Sequence, residues 1–351
     1  MPQRTSQRQR FALALAVVVL APACALRPPA EAPVHPSSST EARTLQYLET
    51  ISVATLGAHD PLVRILAGPG AQTLERPVAL AVRDDRMVIA DAGNNIIFSY
   101  DLKTRHLRQL ANAGSYLVGE ADDIHIAADQ TFFVTDGVGK QVLHFSAAGE
   151  YMNRYVDGAN LSKPVAVTVD EERDLVLVAD ELFSHVVVFE RHSGKALAGL
   201  GRRGNGPGRF RIITDMIYKD DRLYVTDRVE YRLQLLDQDG QYVTHMGQEH
   251  LVFPQAMAVT EDGYIFVADR ADNRIKVFYQ GELVDVIGRN GGARGEFRLV
   301  NDMSISNGRL YVADSLNNRI QVFSILGSHK TAEAEALADP GAMVVAIPFT
   351  W

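Results

Sequence analysis

From about residue 76 onward, apolar positions fall into short runs cut by turn residues. The stretch around residue 265 shows the pattern: QAMAV (255–259), an EDG turn, YIFVAD (264–269), RADN, RIKVF (274–278), a YQG turn and LVDVI (283–287). Runs of four to six residues rich in Val, Ile, Tyr and Phe, separated by Asp/Asn-Gly turns, predict antiparallel meander strands. The next stretch repeats the order with NDMSI, SNG, RLYVAD, SLNN and RIQVF.

The pattern is periodic. An apolar strand ending in Asp recurs at Asp91, Asp136, Asp180, Asp227, Asp269 and Asp314, with spacings of 45, 44, 47, 42 and 45. A fixed period near 45 in strand-rich units predicts a propeller. The sixth unit has no fourth strand after Phe323. The segment PLVRILAGPGAQTLERP (61–77) parallels ELVDVIGRNGGARGEF (282–297). The expected fold is therefore all-β: a six-bladed propeller of four-stranded antiparallel blades, closed by an N-terminal outer strand. Residues 62–67 are expected beside 319–324, which protects the edges of the ring.

The chain begins differently. Arg4, Arg8 and Arg10 precede the apolar run Phe11 to Leu20, followed by Ala21-Pro22-Ala23-Cys24. This is the layout of a secretory signal, and the run is short for a membrane-spanning helix. The single cysteine, Cys24, lies where a bacterial lipoprotein signal places its lipidated residue, and the segment resembles a lipobox. Pro22 and Ala21 depart from that pattern, so ordinary cleavage after Ala23 or Ala25 is the competing reading. The stretch RPPAEAPVHPSSSTEART is too poor in bulky apolar groups to order itself. The expected organisation is a signal peptide at 1–23, a tether at 24–56, the propeller at 57–327 and a C-terminal tail at 328–351. Thr44 to Ile51 reads as a short amphipathic helix within the tether. The tail ends in the apolar AMVVAIPFTW, with packing on the propeller favoured over partner binding.

The units resemble NHL repeats in VADRADNRIKVF (267–278) and VADSLNNRIQVF (312–323), and in the lead-ins GLGRRGNGPGRF (199–210) and VIGRNGGARGEF (286–297). The resemblance spans about residues 60–326. It implies a propeller and leaves function open, because one fold hosts many activities.

The six marker Asp residues read as structural, their carboxylates bonding N–H groups of the following turn. Arg232, Arg274 and Arg319 each follow their Asp by five residues, so an ion pair within the blade is expected. Another position, just inside the first strand, alternates: Ala79, Ala166 and Ala256 in odd blades, Asp123, Asp215 and Asp302 in even ones. Three carboxylates converging at one channel mouth would repel each other unless a cation intervened. They are candidate ligands for Ca²⁺, another divalent cation or a cationic group, while bonds to local amides are the structural alternative. His125 lies two residues beyond Asp123, where other blades carry small or apolar residues. It reads either as a buried histidine satisfied by Asp123 or as a ligand or proton-transfer group.

Composition narrows the partners. With 35 basic and 43 acidic residues the formal charge is −8, and loss of the three signal arginines would make it −11, with 32 basic against 43 acidic residues. Arg202, Arg203, Arg209, Arg211, Arg289, Arg294 and Arg298 on the lead-ins read as solvated loop residues, with a rim for an anionic partner as the alternative, and the acidic balance and export signal argue against nucleic acid. Two functions stand. One is an exported, lipid-anchored binding or scaffolding module for a protein, peptide or glycan of the cell envelope, with a soluble periplasmic form as the variant. The other is a metal-dependent propeller enzyme, a lactonase-type hydrolase or, with a poorer histidine pattern, a peptidyl-amidoglycolate lyase. No G-x-S-x-G, HExxH or cysteine nucleophile signature is present.

Overall fold

The computed structural model describes residues 44–52, 74–110 and 121–326. The predicted signal, Cys24, the segment 62–67 and the C-terminal tail lie outside the described residues. Six four-stranded antiparallel sheets form the blades. Their first strands are Pro77–Arg83, Ile124–Ile126, Pro164–Asp170, Ile213–Lys219, Pro254–Val259 and Val300–Ser306. Each first strand contacts the first strands of both neighbouring blades, and the sixth contacts the first, so these strands form a closed inner ring.

Strand alternation explains why the ring packs. Successive side chains face opposite sides of a blade, and each side meets a different neighbour. Leu80, Val82, Met87 and Ile89 of blade one pack with Tyr311, Ala313, Ile320 and Val322 of blade six. Ala79, Ala81, Val88 and Ala90 pack instead with Ile124, Ile126, Phe132 and Val134 of blade two. Equivalent clusters fill the other four interfaces.

The ring is closed by an N-terminal outer strand, but a different one from that expected. Leu45–Ser52 pairs antiparallel with Arg319–Ile325. The amphipathic helix read over 44–51 is therefore a strand. A bulge between Tyr47 and Glu49 shifts the register and leaves Leu48 exposed. Leu45, Leu48 and Ile51 thus acquire a three-residue spacing that imitates a helical face. Leu45 and Ile51 are buried, and Tyr47 packs edge-on against Phe323 at 5.8 Å.

The marker Asp residues are buried in all six blades and bind more than the following turn. Asp180 accepts the N–H groups of Ser162 and Lys163 in the lead-in and of Phe183 in the turn. Asp91, Asp227, Asp269 and Asp314 clamp their lead-ins in the same way. Asp136 holds the turn through Gly139 and Gln141.

The expected Asp–Arg pairs are corrected in two blades of three. Arg319 Nε lies 2.7 Å from Asp314. Asp269 pairs instead with buried Lys276, at 2.6 Å, and Arg232 donates to the Asn205 and Gly206 carbonyls. In blade five the cation sits seven residues after the Asp, one strand repeat beyond Arg274 on the same face, and Arg274 at the strand's start is exposed. The lead-ins place Phe210 and Phe297 in the interblade clusters. Gly201 permits this: its φ is +72°, and a Cβ there would lie 2.5 Å from the Phe210 ring.

Candidate ligand cavity

The inner strands present an unpaired edge to the axis, and inward N–H groups need acceptors. Asp123, Asp215 and Asp302 supply them. Val167 N–H of blade three donates to Asp123 at 2.7 Å, Met257 N–H of blade five to Asp215 at 2.5 Å, and Leu80 N–H of blade one to Asp302 at 2.6 Å. Each carboxyl group also accepts the N–H of its own successor, Ile124, Met216 or Met303. Three two-oxygen groups thus serve six edge amides, one per blade. Alternation with Ala79, Ala166 and Ala256 has a fold reason that spacing alone did not reveal. The amides following those alanines are already served from the preceding blade.

The three carboxyl groups do converge, since Asp123 feels the charge of Asp302 and Asp215, and Asp302 that of Asp215, but they form a closed layer and not an open mouth. On one side lies a hollow of about 170 Å³ bordered by Val78, Asp122, Gln255 and Asn301. On the other lies an axial cavity of about 830 Å³. Its walls are the six first strands, and its rim is the exposed turns after them, including Glu171, Glu172, Asp220, Asp221 and Glu261. Among the described residues the lining holds nine acidic residues against two basic ones, Arg83 and Lys219.

Electrostatics distinguishes the floor. Burial raises the Asp302 carboxyl well above the usual carboxylate range, and the charge of Asp215 adds to it. Burial, Asp302 and Asp215 raise Asp123 likewise. Burial lifts Asp215 to about 7, with the Met216 and Met257 amides opposing. Desolvation and mutual repulsion thus outweigh six amide bonds.

His125 lines the cavity. It occupies the position from which Ser304 accepts Val82 N–H and Thr168 accepts Tyr218 N–H across their interfaces. The expected bond to Asp123 is absent, because that carboxyl group turns to Ile124 and Val167. His125 Nε2 is buried and has no hydrogen-bond partner. Burial, then Arg83 and Arg191, lower its pKa to about 4, so the ring is neutral at physiological pH.

Among the described residues no group of three or more His, Cys, Asp or Glu is placed to hold a metal ion, and the trio's oxygens are directed at amides. The acidic rim is not apparent in the sequence because Glu171-Glu172-Arg173 and Lys219-Asp220-Asp221 have the composition of ordinary polar turns. The basic lead-ins sit at the opposite end of the channel from this rim. Part of their charge is internal: Arg289 pairs with Glu296 at 2.6 Å, Arg211 bonds Asn205, and Arg294 lies over the Tyr47 ring.

Residues 297–323 match the NHL repeat. The NHL match falls on the lead-in Phe297 and the first three strands of blade six. No curated protein sequence matches the chain. Among solved structures, a streptogramin B lyase aligns at 12% identity and a TM-score of 0.57, covering 82% of this chain and all of that one. Virginiamycin B lyase from Staphylococcus aureus aligns at 11% identity and a TM-score of 0.53, covering 72% and 96%. A protein of unknown function from Bacteroides thetaiotaomicron aligns at 14% identity and a TM-score of 0.56, covering 72% and 70%. These likenesses establish the shared propeller fold.

Proposed function

We propose that the protein is an exported, lipid-anchored NHL-type propeller that binds a ligand or partner of the cell envelope in its axial cavity. The observation that carries this reading is the cavity of about 830 Å³, closed at its floor by Asp123, Asp215 and Asp302 and open at an acidic rim. Concave sites with a few convergent polar groups are where ligands bind. The end of a peptide or glycan, or a smaller molecule, is the occupant this shape suits. Leu326 N–H donates to the Thr44 carbonyl at 2.9 Å, and Ile325 N–H to Gly308 in the first turn of blade six. The chain leading from the proposed anchor therefore joins the propeller at the same face as the rim.

The test is a panel of anionic, neutral and cationic compounds screened by native mass spectrometry. Wild type is compared with Ile217→Trp, which narrows the cavity. Ligands lost in the variant support the reading; a panel with no cavity-dependent binder overturns it. For the anchor, Cys24→Ser is expected to release the protein from membranes, and unchanged fractionation would refute lipidation.

A second reading, an enzyme, is favoured by one observation: the neutral His125 with its unpartnered Nε2 in the cavity wall. Such a ring is poised to move a proton. Its test is incubation with streptogramin B, with His125→Ala as control. Intact substrate after prolonged incubation removes that substrate class.

A further inference from the structure

We propose that the axial cavity is a site for a linear oligoamine, a methylene chain carrying ammonium groups at its ends and along its length. This rests on the cavity being the ligand site, and it names the ligand class.

The acidic lining is arranged in two layers. The floor holds Asp123, Asp215 and Asp302. The rim holds exposed carboxylates, among them Glu172, Asp220 and Asp221. Asp215 lies four residues before the end of its strand at Lys219, about 13 Å at strand rise, and Asp220 and Asp221 follow directly in the turn. Between the layers runs a belt with little charge: Ala81, Thr168, Ile217, Ala258 and Ser304. A compact cation would meet one layer only. A chain with ammonium groups at both ends meets both layers and lays its methylenes along the belt.

An independent observation points to the same class. His125 belongs to this belt, and its buried Nε2 lacks a partner. An orphaned polar atom of this kind calls for an explanation. With the imidazole proton on Nδ1, Nε2 accepts one hydrogen bond, and an ammonium or secondary amine along the chain supplies the donor. The floor acts in the same direction. Burial and neighbouring charge favour the protonated forms of Asp123 and Asp302, and a cation in the cavity favours their charged forms. Arg83 and Lys219 are the only basic groups among the described residues of the lining, and Arg83 is turned aside to the Ile126 carbonyl, 3.3 Å away, and to Glu171.

The experiment is calorimetric titration of the full chain at neutral pH with spermidine, with hexanediol as neutral probe and citrate as anionic probe. Spermidine is expected to saturate one site and to bind more weakly as salt rises; hexanediol and citrate are expected not to bind. Asp215→Asn combined with Asp302→Asn is expected to weaken spermidine about tenfold or more. Glu172→Gln combined with Asp220→Asn changes only exposed residues, leaves the fold intact and is expected to weaken it as well. His125→Ala is expected to weaken spermidine more than octanediamine, which lacks the inner nitrogen. Absence of saturable spermidine binding overturns the proposal, as does binding unchanged in both Asp-containing double variants. If hexanediol, citrate or another panel compound binds in the cavity while spermidine does not, the cavity remains a ligand site of another class. If nothing binds there, the broader reading falls too.

Discussion

Asp302 of blade six accepts the main-chain N–H of Leu80 in blade one at 2.6 Å, across 222 residues of sequence. The bond ties the last inner strand to the first, and the same carboxyl group holds Met303 N–H. Asp302→Ala leaves two buried amides without acceptors. The expected loss is about 2–6 kcal/mol by urea unfolding, since each buried unsatisfied group costs about 1–3 kcal/mol. A loss under about 1 kcal/mol would mean that water replaces the carboxyl group and that the ring does not rely on it.

The raised carboxyl pKa values set the sign of a pH effect. The folded state holds protons on Asp123, Asp215 and Asp302 that the unfolded chain, with ordinary aspartates, has released. Stability therefore falls as pH rises from the ordinary carboxylate range through about 7, the Asp215 value. The two lowered histidines, His125 and His144, both near 4, act oppositely and only below their unfolded value of 6.5. Between pH 6.5 and pH 8 the carboxyl effect stands alone. Melting temperature is expected to fall across that window and to fall less in Asp215→Asn. A wild-type curve that is flat or rising there contradicts the assignment.

Lys276 fills the position that Gln321 occupies in blade six, seven residues after the marker Asp. Lys276 Nζ donates to Asp269, and Gln321 Nε2 donates to Asp314 at 3.1 Å. Lys276→Ala breaks a buried pair and is expected to cost about 3–5 kcal/mol. Lys276→Gln should recover most of that, because Gln already serves this site in another blade. Equal losses in the two variants would show that charge, and not hydrogen-bond geometry, is what Asp269 requires.

The outer strand of blade six separates dispensable chain from essential chain. Removing residues 1–43 is expected to leave melting temperature unchanged. Removing residues 1–52 strips Leu45–Ser52 from Arg319–Ile325 and bares a hydrophobic strand edge. Lower melting temperature and aggregation are expected, read by light scattering and thermal unfolding. Indistinguishable behaviour of the two truncations would show that another segment closes the ring.

Repetition made the propeller legible in the sequence. The six marker Asp residues, their 42–47 residue spacing and the missing last strand fixed the blade number, because each blade is a local meander whose strands are neighbours in the chain. Which segment closes the ring was not legible. Leu45–Ser52 carries a bulge whose extra residue gives helical spacing, and its partner lies more than 260 residues away. The alternation of Asp123, Asp215 and Asp302 with alanines was visible, but its cause was not. The acceptor of an inward amide in one blade sits in the blade before it, a relationship set by ring closure and not by any local pattern. The same holds for the cavity. Glu172 and Asp220 are ordinary turn residues in their own blades and become one acidic rim only when six blades turn their first strands to a common axis. The sequence by itself determined the repeating unit, because its strands and turns depend on short-range alternation. Tertiary structure alone decided the amide-capped floor, the unpartnered His125 and the charge of the cavity, because each depends on groups from different blades.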